Sequence, residues 1–309
     1  MMKKIVVAVL LVMITVTVAL AGDPPFEGTL TTKVLIGGVD LSVITENIDY
    51  SKGDIKQQIT DAYKKLSKED LERLKKLTEA NPMMGMAIMM TPPKGTITIK
   101  GDVTVARTRG LGYEIAHYHN RGKDDAYIYT GSLTDTSNNA TATYKPSAGY
   151  AALFAGDKLV NADEYIIEKL PGTVSVAGYT CTKSVYTPKN PGANKQAAVP
   201  GMPAMTLQKL VVYSSAALPA DINFSHPYYL PEKNGVMRID IYFDKNDTPA
   251  MVYEVVDVKK ASVNDTALAV RKTEPLYDLA GGNVMEYGMK LMGIMMGGLS
   301  MQGEGNENE

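Results

Sequence analysis

Histidines are the residues of this chain best suited to acid–base or metal chemistry near neutral pH, and the chain has three. Two of them lie two residues apart in His117-Tyr118-His119. On a β-strand such residues share a face about 6.6–7 Å apart, so both imidazoles can reach one zinc or copper ion. The sequence identifies no third ligand, and His226 stands alone. We favour a polar strand face that ends at a turn, with metal binding by His117 and His119 as the weaker alternative.

Methionine is the second conspicuous residue type, and its spacing admits three interpretations. As core filler, methionine occupies irregular gaps; as a ligand surface, its flexible thioether chain adapts to varied apolar partners; and clustered thioethers can hold Cu(I). The four later methionines, from Met285 to Met296, fall at i, i+4, i+7 and i+11, one face of a helix. Besides core packing, we therefore predict an apolar lid or cleft at these positions: Met83, Met84, Met86, Met89, Met90, Met285, Met289, Met292 and Met296.

Sequence motifs of catalysis are missing. The chain has no P-loop, nucleophile elbow, H-E-x-x-H, EF-hand pattern or dinucleotide glycine fingerprint. Asp124 and Asp125 are adjacent, so on a strand they would point to opposite faces and could not act as a carboxylate pair. The sequence therefore predicts a binding protein rather than an enzyme, with no cofactor.

The first 21 residues have the three parts of a secretory signal peptide. Lys3 and Lys4 precede an apolar run, 5–18, and Ala19-Leu20-Ala21 supplies the small–x–small cleavage pattern. The run is shorter than the roughly 20 residues that a spanning helix needs. We expect cleavage after Ala21 and a periplasmic or secreted product that does not span the membrane.

Charge and cysteine content limit the partners and the covalent chemistry. Without the two leader lysines, 30 basic residues face 34 acidic ones, a net charge of about −4. This balance offers no basic surface for nucleic acid. Cys181 is the only cysteine, so an intramolecular disulfide is excluded. We interpret it as a small buried hydrophobic residue rather than a reactive thiol.

Period-two alternation of apolar and polar residues predicts antiparallel strands with one buried face through most of the chain. Strands are predicted at 26–36, 97–105, 112–119, 125–130, 174–186, 207–214, 237–243 and 250–259. Helical spacing predicts two short helices within 54–80, divided near Ser67, and a further helix at 283–297. The proline-rich stretch 187–206 is interpreted as a long surface loop, and 302–309 as a disordered acidic end.

The order of these parts resembles a known family. The motifs are Phe26-Glu27-Gly28-Thr29-Leu30, the segment 95–102, Val176-Ala177-Gly178-Tyr179-Thr180-Cys181-Thr182-Lys183, and the segment from Thr248-Pro249 to Lys260. Together they look like a bacterial envelope family of unknown function whose members are similar to the lipoprotein carriers LolA and LolB. The resemblance covers about residues 25–270. It departs at 267–277, where family members often end on a phenylalanine–proline–tyrosine segment, and in the methionine-rich tail that follows.

The resemblance implies an α+β fold, mostly antiparallel β, in which a strongly curved half-barrel sheet has a helical insert packed on its concave side. The expected organisation is a signal peptide, 1–21, one β-rich domain, 22–272, with the insert at 54–80, and a helical tail, 273–309. The expected function is an exported, non-catalytic carrier or sensor of an apolar small molecule, a lipid or a lipidated peptide. A protein-interaction module of the envelope, whose cleft is plugged by its own tail, remains the alternative.

Overall fold

The computed structural model describes residues 26–80, 83–148, 162–190, 206–225, 230, 232–245 and 247–297. The expected leader, most of the proline-rich loop, His226 and the acidic end lie outside the described residues.

One mostly antiparallel sheet of 13 strands forms the centre of the described structure. Its strand order is β13-β7-β6-β5-β4-β3-β1-β12-β11-β10-β9-β8, with the short β2 paired to β1. All neighbours are antiparallel except β13 and β7, which are parallel. The strands are β1 Gly28–Ile36, β2 Val39–Asp40, β3 Lys94–Lys100, β4 Val103–Arg109, β5 Tyr113–Asn120, β6 Asp125–Ser132, β7 Asn139–Tyr144, β8 Tyr165–Val176, β9 Tyr179–Pro188, β10 Lys209–Pro219, β11 Asn234–Tyr242, β12 Met251–Lys260 and β13 Leu276–Asp278. The predicted α+β class with a mostly antiparallel sheet is confirmed.

Cross-strand register places a continuous apolar surface on one side of this sheet, which we call the inner face. Ile97 of β3 lies opposite both Leu30 of β1 and Ala106 of β4. Ala106 lies opposite His117 of β5, and His117 opposite Ile128 of β6. Directly opposed residues of antiparallel strands share a face, so alternation within each strand becomes one surface across five strands.

Two predicted strands are hairpins instead. The prediction at 97–105 is wrong because the chain turns at Gly101 (φ 58°), between β3 and β4. The prediction at 174–186 is wrong because β8 and β9 meet at Ala177-Gly178, both with positive φ. A two-residue turn reverses the direction of the chain without interrupting an apolar alternation, so Ile97 and Val105 continue one pattern but lie on opposite faces.

Helices cover one end of the sheet and return near the C-terminus. They are α1 Ser42–Thr45, α2 Ile55–Tyr63, α3 Lys68–Ala80, α4 Met83–Met90 and α5 Val284–Gly297. The two predicted helices within 54–80 and the predicted helix at 283–297 are confirmed. The Ser67 hydroxyl accepts a hydrogen bond from the Asp70 amide (3.0 Å) at the start of α3, which is the capping that the sequence indicates.

Buried apolar side chains of these helices anchor them to the end of β1. Ala62, Leu74 and Met84 pack in one cluster with Ile36 and Ile44. Each helix is short, so its stability depends on this tertiary packing rather than on helix propensity. The helical segment is thereby held beside the inner face.

Cys181 is fully buried on β9, at 0% exposure, in a cluster that includes Ile222, Met237 and Val255. Burial raises the pKa of its thiol, which disfavours the reactive thiolate. Its interpretation as a buried residue is confirmed. Within the described ranges, we find no helix whose length and hydrophobicity would carry it across a bilayer.

Candidate ligand site

A cavity of about 530 Å³ lies on the inner face. This volume falls within the roughly 300–1,000 Å³ that small-molecule sites occupy in proteins. Seven strands contribute to its wall: β1, β3, β4, β5, β6, β11 and β12. Their lining residues are apolar in the larger part, with polar side chains among them: Thr32, Val34, Lys94, Thr96, Ile97, Ala106, Thr108, Ile115, His117, Ile128, Ile241, Met251 and Tyr253.

The cover of this cavity comes from three separate parts of the chain. The end of α4 and the two residues after it, Met90-Thr91-Pro92, close one side of the cavity, and Phe224 closes another side. Helix α5 contributes Val284, Tyr287, Gly288 and Leu291, which are spaced i, i+3, i+4 and i+7 and so form one helical face.

Helix α5 is held to the sheet by packing and by two polar contacts. The Tyr287 hydroxyl is hydrogen-bonded to the Thr130 hydroxyl at 3.0 Å, and burial raises the pKa of Tyr287 to about 12. The Lys290 ammonium donates to the Asn138 side-chain oxygen at 2.8 Å. Ile294 and Met295 are buried against the sheet. The helix is therefore a fixed part of the wall in this conformation.

Met90 is the methionine of the first predicted group that lines the cavity. The Tyr113 hydroxyl donates a hydrogen bond to the Met90 carbonyl and ties the end of α4 to β5. Met84 instead packs among the helices, and Met89 is half-buried. The side chains of Met83 and Met86 lie outside the described part of the structure.

Met285 and Met289, two of the predicted methionines of α5, lie outside the face that covers the cavity. Met285 and Met289 are 78% and 65% exposed and point away from the sheet, and Met292 is half-buried. The side chain of Met296 is not among those described. The helix is apolar on most of its circumference, so spacing alone does not tell which side is buried. Packing with Tyr113, Ala140 and Ala142 places Tyr287, Leu291, Ile294 and Met295 inward.

The histidine pair does share the inner face, as its spacing predicts, but Phe224 lies against both rings. The Phe224 ring centroid is 4.5 Å from that of His117 and 5.0 Å from that of His119. The Nε2 atom of His117 is hydrogen-bonded to the Tyr144 hydroxyl at 2.5 Å. Nδ1 of His119 is buried and without a hydrogen-bond partner. His117 lines the cavity as a packed, hydrogen-bonded residue.

Electrostatics of the pair favour neutral imidazoles. Burial, with a smaller repulsion from His119, lowers the pKa of His117 to about 3. Burial also lowers the pKa of His119, against an opposing effect of Asp221. Among the described side chains, no three His, Cys, Asp or Glu residues come together as metal ligands would.

A second, more polar groove of about 590 Å³ lies on the opposite face of β3, β4, β5 and β6. Its charged residues are Glu46, Lys94, Arg107, Arg109, Glu114 and Arg271, four cations against two carboxylates. Lys94 lies opposite Arg109 in the register, and Arg109 opposite Glu114. Sequence reasoning missed this cluster because its members are isolated charges separated by up to 225 positions. Strand register brings together Lys94, Arg109 and Glu114, and tertiary packing adds Glu46 and Arg271.

Contacts within the groove occupy several of these charges. The Lys94 ammonium lies 2.6 Å from a Glu46 carboxylate oxygen, and an Arg271 guanidinium nitrogen 3.5 Å from Glu114. Arg107 donates to the main-chain carbonyls of the segment 267–269, at 2.8 Å each.

Lys94 belongs to both sites. Together with Thr96, Thr108 and Ile115, it lines the groove and the inner cavity. Lys94 is the first residue of β3, so the two sites adjoin at the start of this strand. The apolar cavity therefore adjoins a basic surface at this end of the sheet.

Comparison with known proteins shows no family for this chain. No protein-family model matches it, and no curated protein does. Among solved structures, PNGF-II in its C2 and P21 crystal forms is similar, with a TM-score of 0.41 in both cases and 8% and 9% identity. The alignments cover 87% of this chain and 33% and 34% of the PNGF-II chains, so the chain spans about a third of their length.

Proposed function

We propose that this protein is an exported, non-catalytic carrier or sensor of an apolar ligand in the bacterial cell envelope. The observation that supports the proposal is the cavity of about 530 Å³, whose wall is mainly apolar. A mainly apolar cavity of this kind favours apolar molecules over polar ones, because a polar group would lose hydrogen bonds to water there.

A strongly curved half-barrel is the sheet arrangement that belongs to this proposal, as in the lipoprotein carriers that the sequence resembles. In its favour, residues from β6 at one side and β11 at the other line the same cavity. These two strands are six positions apart in the strand order, and a bend of the sheet around the cavity would bring them to it together. Export through a signal peptide cleaved after Ala21 would place this half-barrel in the periplasm or outside the cell.

The alternative is an envelope interaction module whose cleft is permanently plugged by its own tail. Helix α5 favours this alternative in part, because Tyr287 and Leu291 cover the cavity. However, the helix bounds the cavity without filling it, and a permanent plug would be expected to pack to the density of a protein core. We therefore rank the carrier or sensor first.

Native mass spectrometry of the protein purified from the periplasm without detergent is the test. We expect a mature mass that starts at Gly22, with additional peaks displaced by the masses of bound lipids or other apolar molecules. A clean mature mass without adducts would support the self-plugged module instead. An uncleaved leader would contradict export.

A further inference from the structure

The charge distribution around the inner cavity is one-sided. Among its described lining residues, Lys94 is the one that carries a full charge near neutral pH, since His117 is neutral there. The body of the cavity thus contains no ionised group to pair with a charged ligand, and a charge placed there would be strongly disfavoured.

Lys94 lies at the start of β3, where this cavity adjoins the groove on the opposite face of the sheet. Its side chain is 43% exposed, and the neighbouring Thr91 and Pro92 also line the cavity and are half-buried. The register places the Lys94 side chain on the groove side, where its ammonium pairs with Glu46. A ligand whose apolar part fills the cavity would therefore reach this ammonium by extending past the start of β3, where cavity and groove adjoin.

Beyond Lys94 the surface is basic. Arg109 lies directly opposite Lys94 in the β3–β4 register and is exposed. Its guanidinium lies over the Tyr50 ring, 5.9 Å from the centroid, and makes no ion pair within the described residues. The groove as a whole carries two more cations than carboxylates.

We propose that the ligand is a single long apolar chain ending in a compact anionic group, with the chain in the inner cavity and the anion beside Lys94 and Arg109. This proposal rests on the proposed function and adds the class of ligand to it. A carboxylate and a phosphate monoester both have the required chemistry, because both accept charge-assisted hydrogen bonds from ammonium and guanidinium groups. Glu46, which holds Lys94 in an ion pair, competes with the ligand for the same ammonium.

The test compares three probes with one tail: dodecanoate, dodecyl phosphate and dodecanol, each displacing a hydrophobic dye from the delipidated mature chain below its micelle concentration. We expect at least one of the two anions to bind about three- to tenfold more tightly than the alcohol, which is the range of a partly exposed charge contact. This preference should decrease as salt is added. The tighter anion identifies the class of head group.

Two substitutions that should change the preference for the anion in opposite directions sharpen the test. Lys94→Gln should abolish most of the preference for the anion, whereas Glu46→Gln should increase it, because Lys94 is released from its pair. Lys75→Gln, an equal change of charge on the exposed side of α3, is the control and should leave the preference unchanged. Dodecanol binding should be the same in all three variants, which shows that the cavity is intact.

Equal binding of the anions and the alcohol would overturn the anionic head group but leave the apolar carrier standing. An anion preference that survives in Lys94→Gln would overturn the assignment of the site. Failure of all three probes to displace the dye would contradict the proposed function itself.

Discussion

The His117 imidazole is a group whose chemistry is governed by burial. Its pKa of about 3 compares with about 6.5 for an exposed histidine, because burial removes the solvation of the charged form and His119 adds a smaller repulsion. The Tyr144 hydroxyl stabilises the neutral ring through the hydrogen bond to Nε2. His117 therefore serves as a polar but uncharged part of the cavity wall.

The first prediction concerns this residue and pH. Between about pH 6.5 and pH 3 the unfolded chain binds a proton at His117 that the folded chain does not, so the free energy of unfolding should fall as the pH falls. At pH 5 this loss is about 2 kcal/mol relative to pH 7. His117→Gln, which cannot titrate, should lose about that much less between the two values in urea unfolding. His119 is present in both proteins, so its contribution cancels; equal losses in both would contradict the assigned pKa.

At the scale of the element, the β8–β9 turn holds one residue in a backbone conformation unfavourable to its side chain. Ala177 has φ 48° and is followed by Gly178 at φ 82°. Left-handed conformations cost a residue with a Cβ about 1–2 kcal/mol, less for asparagine, and Asn-Gly is the preferred pair in a hairpin turn of this kind.

We therefore predict that Ala177→Asn stabilises the protein, by about 0.5–1 kcal/mol in urea unfolding. Gly178→Ala is the matched change of opposite sign and should destabilise by about 1 kcal/mol or more, because it places a Cβ at positive φ. Destabilisation by both substitutions would show that the turn differs from the one described.

Helix α5 is the element on which access to the cavity depends. Leu291 lines the cavity, whereas Met289 is 65% exposed on the other side of the helix. The interface is apolar apart from the Tyr287–Thr130 and Lys290–Asn138 contacts, so an aspartate on the inward side would lose its hydration if the helix stayed in place.

Leu291→Asp should therefore release α5 and increase the fluorescence of a hydrophobic dye, as should deletion of 283–309. Met289→Asp, the same chemical change two positions away, should leave dye binding at the level of the unmodified protein. If both aspartates raise dye binding equally, the helix does not cover the cavity with the face described.

At the scale of the whole molecule, the cavity connects distant parts of the sheet. Seven strands that are neighbours in the sheet, from β6 through β1 to β11, contribute side chains to it. The segments around Met90 and Phe224 contribute as well. A ligand bound there contacts most of the fold at once, and binding to the folded state alone raises its stability.

Accordingly, an apolar ligand should raise the midpoint of thermal unfolding, and the increase should grow with its concentration. At 100 times the dissociation constant the stabilisation is about 2.7 kcal/mol. Dodecanol and dodecanoate, monitored by circular dichroism, are suitable probes, with short-chain butanol as the control that cannot fill the cavity. A midpoint that no concentration of either probe changes would support the self-plugged module.

Local features of this protein could be predicted from its sequence because they depend on neighbouring residues. Alternation along 26–36 and 250–259, helical spacing in 54–80, and the Ser67–Asp70 cap all arise within a few residues of one another. From these follow the α+β class, the positions of the helices and the burial of Cys181. The shared face of His117 and His119 follows from strand geometry in the same way.

Tertiary packing decided the remainder. The β3–β4 and β8–β9 turns interrupt patterns that continue across them, so only strand pairing shows where the chain reverses. The inward placement of Leu291 rather than Met289 is set by the sheet against which α5 packs, because the helix is apolar on both sides. The cavity joins residues as distant in sequence as Thr32 and Leu291, and the groove joins Lys94 and Arg271. Sequence spacing carries no information on such contacts, because strand register and packing create them.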